Sequence, residues 1–215
     1  FSKLDPQIIE VIIVDSLSTK QTINIFSDYS FKIINTKKNS RAARINIGVK
    51  NSTGKIILIH HPRSLLEKGC IDECLNILKS KDKITWGGFT LKHDHPHKFL
   101  EFVSWYSNQI RVKRKNIVYL DHCIFVESKL ANKVFPIEDI EIFEDTVISQ
   151  KLAEHSKPLL LSSFSTTSSI RFATRGIFKQ FFLNQFLKFL FTIGAPDRLM
   201  NKIYEKNCNL NVKKI

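Results

Sequence analysis

Two adjacent carboxylates, Glu144 and Asp145, open the stretch Phe143-Glu144-Asp145-Thr146-Val147-Ile148-Ser149-Gln150-Lys151-Leu152. Val147, Ile148 and Leu152 recur at helical spacing, so the pair stands at the start of a helix. Acids there stabilise the positive end of the helix dipole, or one of them takes a proton from a substrate hydroxyl as a general base. The residue types alone leave both readings open. Arg41 and Arg44 lie on one face of another expected helix. Their guanidinium groups suit phosphate oxygens, and a solvated basic face is the plain alternative. His60-His61 ends an apolar run, and His93, His95 and His97 alternate in a loop. Zinc wants three or four preorganised ligands, which a single loop supplies poorly.

The elements that must position these residues alternate. Gln7 to Asp15 is a β-branched run ending in a carboxylate and reads as a buried strand. Ser16 opens a polar turn, and Ser18 or Thr19 caps a helix running to about Ser27. Phe31–Ile34 is a second strand, Ser40–Lys50 a helix and Lys55–His60 a third strand. Strand and helix in alternation predict an α/β fold with a mostly parallel sheet flanked by helices. Ligands of such sheets sit beyond the carboxyl ends of the strands, where Asp15 and His60-His61 fall. Ser64–Ser80 is predicted as one helix, the segment around Trp86-Gly87-Gly88 as a strand, and His97–Arg111 as a helix. Asn116–Leu120 and His122–Val126 read as short extended segments, Pro158–Leu161 as a last strand, and Ser162–Ser169 as a turn. Residues 1–175 form the main domain. Residues 176–215 form a Phe-rich helical extension that caps the core, packs in a homodimer, or lies on a membrane.

Composition narrows the class without choosing a partner. The chain has 215 residues, 43% of them hydrophobic, enough for a sizeable core. Net charge is +13, which suits an anionic partner such as a nucleotide, phospholipid surface or nucleic acid. The basic residues are scattered and no nucleic-acid motif appears. Four cysteines occur without a CxxC pair, which reads as reduced thiols and a cytoplasmic location.

The order of these signals resembles the family-2 glycosyltransferases of GT-A (Rossmann-like) fold. More narrowly, it resembles a bacterial branch associated with radical-SAM and selenium-related gene neighbourhoods. The residues that carry the resemblance are Arg41-Ala42 in the first helix, Leu58-Ile59-His60-His61 at a strand end, and Trp86-Gly87-Gly88-Phe89. With them go Leu120-Asp121-His122-Cys123-Ile124-Phe125, Glu144-Asp145 through Leu152, and Ser168-Ser169-Ile170-Arg171. The family also opens with a strand ending Pro-x-x-Asn-Glu; this sequence begins after that point, so the strand is either lost or not included in it.

The resemblance implies transfer of a sugar from a nucleotide-diphosphate sugar to a hydroxyl acceptor, with inversion. Asp145 would be the base and Glu144 its neighbour in the acidic pair. Asp15, Ser16, Arg41, Arg44, His60, His61, Arg63 and Arg171 would hold the donor. Trp86, Gly87, Asp121 and His122 would meet the acceptor. The family places an acid after the third strand to help hold Mg²⁺ or Mn²⁺ on the diphosphate. Here His60-His61-Pro62-Arg63 stands there, and those cations prefer oxygen ligands. Either His61 binds a metal, or Arg63 neutralises the phosphates without one, or the chemistry has been lost and a binding or scaffold module remains. A site on the inner face of the membrane, reached through the Phe-rich tail, accompanies the transferase reading.

Overall fold

The computed structural model of the chain describes residues 9–16, 31–79 and 85–206. The helix expected after Ser16, with its Ser18 or Thr19 cap, lies outside the described residues. β1 (Ile12–Asp15) pairs in parallel with β2 (Lys32–Asn35), with Asp15 opposite Asn35. α1 (Arg41–Asn51) follows, capped by Ser40, whose Oγ accepts from the Ala43 N–H at 3.0 Å. The same hydroxyl donates to Asp139. The cap fixes where the helix begins and so puts Arg41 in its first turn.

β3 (Ile56–Ile59), β4 (Ser64–Leu66), β5 (Trp86–His93), β6 (Ile124–Glu127) and β7 (Leu159–Thr167) form one sheet in the order β3-β6-β5-β7-β4. β5 and β7 pair in parallel; β3–β6, β5–β6 and β4–β7 are antiparallel. Hence β3, β5 and β7 point one way, and β6 runs back between β3 and β5. Alternation along β6 divides the core in two. Ile124 and Val126 pack with Trp86, Ile148 and Leu152 on one face, and Phe125 packs with Phe89, Cys70 and Cys74 on the other. α2 (Cys70–Lys79) covers the second face; α4 (Ser128–Val134) and α5 (Glu144–Ala153) cover the first. α3 (Lys98–Tyr106) continues through a π-helical turn, Ser107–Val112, to a last turn at Lys113–Lys115.

Two local expectations fail, for one reason. Ser64–Ser80 is not a single helix: β4 occupies its start, Gly69 turns the chain at φ +103°, and the helix begins at Cys70. Ser162–Ser169 is not a turn, because β7 runs on through Thr167. These segments pair with each other, Ser64 opposite Thr167 and Leu66 opposite Ser165. The long-range ladder overrides the local preference of each partner.

The C-terminal part holds α6 (Ile170–Arg175), α7 (Ile177–Thr192) and α8 (Asp197–Glu205). Leu187 of α7 and Met200 of α8 bury against Ile142, just ahead of α5. The opposite face of α7 is bare: Phe178, Phe182, Phe186 and Phe189 are 59%, 67%, 50% and 60% exposed, and Ile193, the residue after the helix, is 60% exposed. Among the described residues no helix is long and apolar enough to cross a membrane.

Candidate active site

Asp145 sits in the first turn of α5, behind a strained entry. Phe143, the residue before the helix, has φ +66°, a conformation that costs a non-glycine residue roughly 1–3 kcal/mol. Its ring lies 4.8 Å from that of Phe191 on α7, so the tail helix holds the bend. Asp145 Oδ2 accepts from the Leu120 N–H at 3.2 Å, and Oδ1 from the Thr146 N–H at 2.7 Å. Burial, then the adjacent Glu144 carboxylate, lift the Asp145 carboxyl from its usual range to about 7, against the opposing pull of Arg41 and the Leu120 N–H. Glu144 is buried and turned the other way. Its Oε1 meets Arg41 Nε at 2.8 Å, so the acidic pair divides into one ion-paired carboxylate and one carboxyl facing a cavity.

That cavity, of about 200 Å³, gathers side chains distant in sequence. Arg41, His61, Arg63, Asp121, Asp145 and Arg171 all line it. Asp121 lies in a 3₁₀ turn, Leu120–His122, between Asp145 and β7. Its Oδ1 accepts from Thr167 Oγ1 at 2.9 Å, and its carbonyl from Ser165 Oγ at 2.7 Å. The hydroxyl-rich end of β7 therefore pins this turn. His61 Nδ1 accepts from the Arg63 N–H at 3.2 Å and stands 3.8 Å from Asp121 Oδ1. An accepting ring nitrogen belongs to a neutral imidazole. Burial gives the same result, carrying His61 down to about 4. Arg171 donates to Glu205 Oε1 at 2.9 Å and lies 4.3 Å over the Tyr204 ring.

Other sequence candidates are placed elsewhere. Asp15, Ser16, Arg44 and His60 do not line this cavity. Burial, then Arg41 beside it, lower the Arg44 guanidinium, and Asp15 opposes that shift, which puts Arg44 and Asp15 near each other at the β1–α1 end. The acceptor roles of Trp86, Gly87 and His122 need correction. Trp86 is 0% exposed and donates to the Ser156 carbonyl at 2.8 Å. A Cβ on Gly87 would lie 1.9 Å from the Leu159 carbonyl oxygen, so that glycine lets β5 and β7 approach. His122 is 0% exposed, with Nδ1 at 2.9 Å from the Phe89 carbonyl and Nε2 at 2.9 Å from Ser107 Oγ. All three are core positions. The His93–His97 loop also works structurally: His93 contacts Ser104 Oγ at 2.8 Å, and His97 caps α3 through the Phe99 N–H. Burial raises the Cys70 and Cys74 thiols to about 11 and about 12, leaving them unreactive.

Sequence reasoning missed one wall entirely. Gln180, Asn184 and Lys188 of α7 line the cavity, opposite the exposed Phe stripe, along with Arg111, Tyr119 and Tyr204. The signal was present: polar residues recur every four positions through a Phe-rich helix. Burial, then the nearby Arg111, lower Lys188 to about 7.

The pattern described as glycosyl transferase family 2 matches residues 2–135, more than half of the chain. No curated protein matches the chain. Among solved structures, S. aureus TarS 1-349 aligns with a TM-score of 0.62 at 14% identity, covering 97% of this chain and 64% of that one. A longer S. aureus TarS chain gives 0.62 at 14% identity, with 97% and 38% covered. TarS 1-349 in complex with UDP gives 0.58 at 14% identity, with 97% and 64% covered. The chain thus spans less than two thirds of the length of these structures, and at such identity the likeness shows the fold alone. Asp145 and the tail lie beyond the span of the family pattern. With an α/β GT-A-like fold and a family pattern over most of its length, the chain belongs to glycosyl transferase family 2.

Proposed function

We propose that this domain transfers a sugar from a nucleotide-diphosphate sugar to an acceptor hydroxyl, with inversion at the anomeric carbon and Asp145 as the base. The observation that carries the reading is the Asp145 carboxyl. It faces a cavity also lined by the Arg41, Arg63 and Arg171 guanidinium groups, and burial beside Glu144 raises it to about 7. A base works best with a pKa near the working pH, because it is then both deprotonated and willing to accept a proton. In the step, Asp145 takes the acceptor proton while the acceptor oxygen bonds to the anomeric carbon. The bond from that carbon to the diphosphate breaks, and its electron pair leaves with the nucleoside diphosphate. Arg63 and Arg171 suit the charge that develops there. Glu144 holds Arg41 in place and acts as a positioning residue. The complex of TarS 1-349 with UDP supports a uridine nucleotide as the first donor class to try.

A divalent cation fits this donor set poorly. Among the described residues Asp121 is the carboxylate beside His61, whose Nδ1 is already taken by the Arg63 N–H, and arginines line the cavity around both. We read the arginines as the counter-charge to the diphosphate. Calorimetry with a panel of nucleotide-diphosphate sugars, with and without Mn²⁺ or chelator, tests both parts. Binding of one donor at equal affinity in chelator is the expected result. A folded protein that binds no donor defeats the transferase reading and leaves a binding or scaffold module.

The reading includes a location. The outward stripe of α7 continues across ring contacts from Phe178 to Phe99 and Phe102 and on to Trp105, itself 52% exposed. Exposed Lys98, Lys113, Arg114, Lys115 and Lys179 flank these aromatics in sequence. Aromatics edged by cations suit an anionic lipid surface. Co-sedimentation with phosphatidylglycerol vesicles, lost in F182S/F186S, is expected. Equal sedimentation of the variant counts against it.

A further inference from the structure

A second cavity, of about 560 Å³, adjoins the first and shares Arg111, Tyr119, Phe143 and Lys188 with it. Its other walls come from the end of α3, from α5 and from α7. Among the described residues its charged lining is of one sign: Arg111, Lys115 and Lys188, with no carboxylate beside them. None of these three cations is among the ion pairs of the described residues. Two of them converge on one ring. The Arg111 guanidinium lies 5.0 Å and the Lys188 ammonium 5.7 Å from the centre of Tyr119, and Arg111 also lies 5.2 Å from Tyr106. Aromatic faces thus hold in place two cations that repel each other. Thr146, Gln150 and Gln185 add neutral polar groups around them.

Like charges brought together in a partly buried space are costly unless an anion joins them. A carboxylate would match one guanidinium. Three converging cations with neutral hydrogen-bonding neighbours match the several oxygens and larger charge of a phosphate. The two cavities meet at Phe143, the neighbour of Glu144-Asp145, while Arg63 and Arg171 line the first cavity alone. We propose that this second cavity binds a phosphate-bearing acceptor, with the phosphate on Arg111, Lys115 and Lys188 and a hydroxyl of the same molecule directed at Asp145. The inference rests on the transferase reading for the word acceptor; the phosphate site itself stands or falls separately. The fall of Lys188 to about 7 gives it a signature. Phosphate restores the ammonium, so binding takes up a proton near neutral pH.

The test is calorimetry with glycerol 1-phosphate, run on the free protein and on protein saturated with UDP, with neutral glycerol as control. Expected are binding in both arms, proton uptake seen as a heat that changes with buffer ionisation enthalpy, and a loss of about tenfold in affinity for Lys188→Met and for Lys115→Met. Lys115 is exposed, so its variant keeps the fold if Lys188→Met does not. UDP affinity stays unchanged in Lys115→Met, whose side chain lines the second cavity alone. Competition between UDP and glycerol 1-phosphate overturns the proposal by assigning the cations to the donor. Unchanged phosphate affinity in Lys115→Met and Lys188→Met, or no phosphate binding at all, overturns it too. Phosphate binding that depends on Lys188 in a protein that binds no nucleotide would keep the anion site and remove the transferase reading instead.

Discussion

Replacing Asp145 by Asn is expected to stabilise the protein above neutral pH while abolishing turnover. The carboxyl moves from an ordinary 3.8 to about 7 on folding, because burial and Glu144 disfavour its charge. The folded state therefore holds this proton more tightly than the unfolded chain. Below pH 4 both states are protonated and the residue adds no pH dependence. Between pH 4 and 7 the unfolded chain releases the proton and the folded protein keeps it, so stability falls as pH rises. Above 7 both are ionised and the full cost is present. At about 1.4 kcal/mol per pKa unit the shift corresponds to about 4 kcal/mol. Asn carries no charge, but it loses one acceptor of the pair that serves the Leu120 and Thr146 N–H groups, which costs about 1 kcal/mol.

The net expectation is therefore that D145N and the parent are nearly equal at pH 4 to 5. By pH 8 the variant leads by about 2–3 kcal/mol, or roughly 5–10 °C in melting temperature for a chain of this size. Subtracting the two melting curves at each pH removes every carboxylate and histidine common to both. Circular dichroism melts from pH 4 to 8 are sufficient, with UDP-sugar calorimetry showing that the variant still binds donor. A difference that stays flat with pH, or one that favours the parent at pH 8, refutes the argument. The carboxyl would then not be held up by burial, and its case as a base near neutral pH would go with it.

Removing the other half of the pair works in the opposite direction. Glu144→Gln leaves Arg41 without its 2.8 Å partner, and a loss of about 2–4 kcal/mol is expected in denaturant unfolding, discounted because Arg41 is 34% exposed. His122, held down to about 4 by burial, should destabilise the protein as pH falls from 6.5 toward 4. His122→Gln should flatten that limb of the pH–stability curve, and a curve of unchanged shape would show that the ring titrates freely. Gly87→Ala forces a Cβ to 1.9 Å from the Leu159 carbonyl, so a loss of at least about 4 kcal/mol, read as failure to accumulate folded protein, is the expected outcome. A variant that melts with the parent would mean that β5 and β7 are not so close.

Where local chemistry decided the structure, the sequence was readable. The helix expected over Ser40–Lys50 is α1, which carries Arg41 in its first turn, and the apolar spacing after Glu144-Asp145 marks α5. The strands that failed to read were those whose partners lie far away. Ser162–Thr167 has the composition of a turn and becomes a strand because its hydroxyls bind Asp121 and its backbone completes β4 and β5. Burial misled in the other direction. Trp86 and His122 sit in segments that match the family pattern, yet each has its polar atoms satisfied inside the core, a fact no spacing reveals. Lys188 was passed over for the same reason: a lysine in a Phe-rich helix looks like solvent exposure, as its neighbour Lys179 is, until the helix is placed.

The placing of α7 ties these observations together. One edge of the helix, Gln180, Asn184 and Lys188, is polar and lines the cavity that holds Asp145; another, Leu187 with Phe191, packs beside Ile142 and Phe143; the third, from Phe178 to Phe189, is bare. A helix that used only its packing edge would have no need of the other two. The packing edge holds Phe143 in its left-handed bend, which aims α5 and therefore Asp145. Any force on the bare edge acts on the same rigid rod. If that edge rests on lipid, as proposed, the cavity carrying Lys188 lies one helix diameter, about 10 Å, from the lipid surface. That distance suits an acceptor whose phosphate stays near the headgroups while its hydroxyl reaches Asp145. The acceptor class and the lipid contact are then two consequences of one helix, and F182S/F186S should lower turnover on a lipid-linked phosphate while sparing turnover on a water-soluble one.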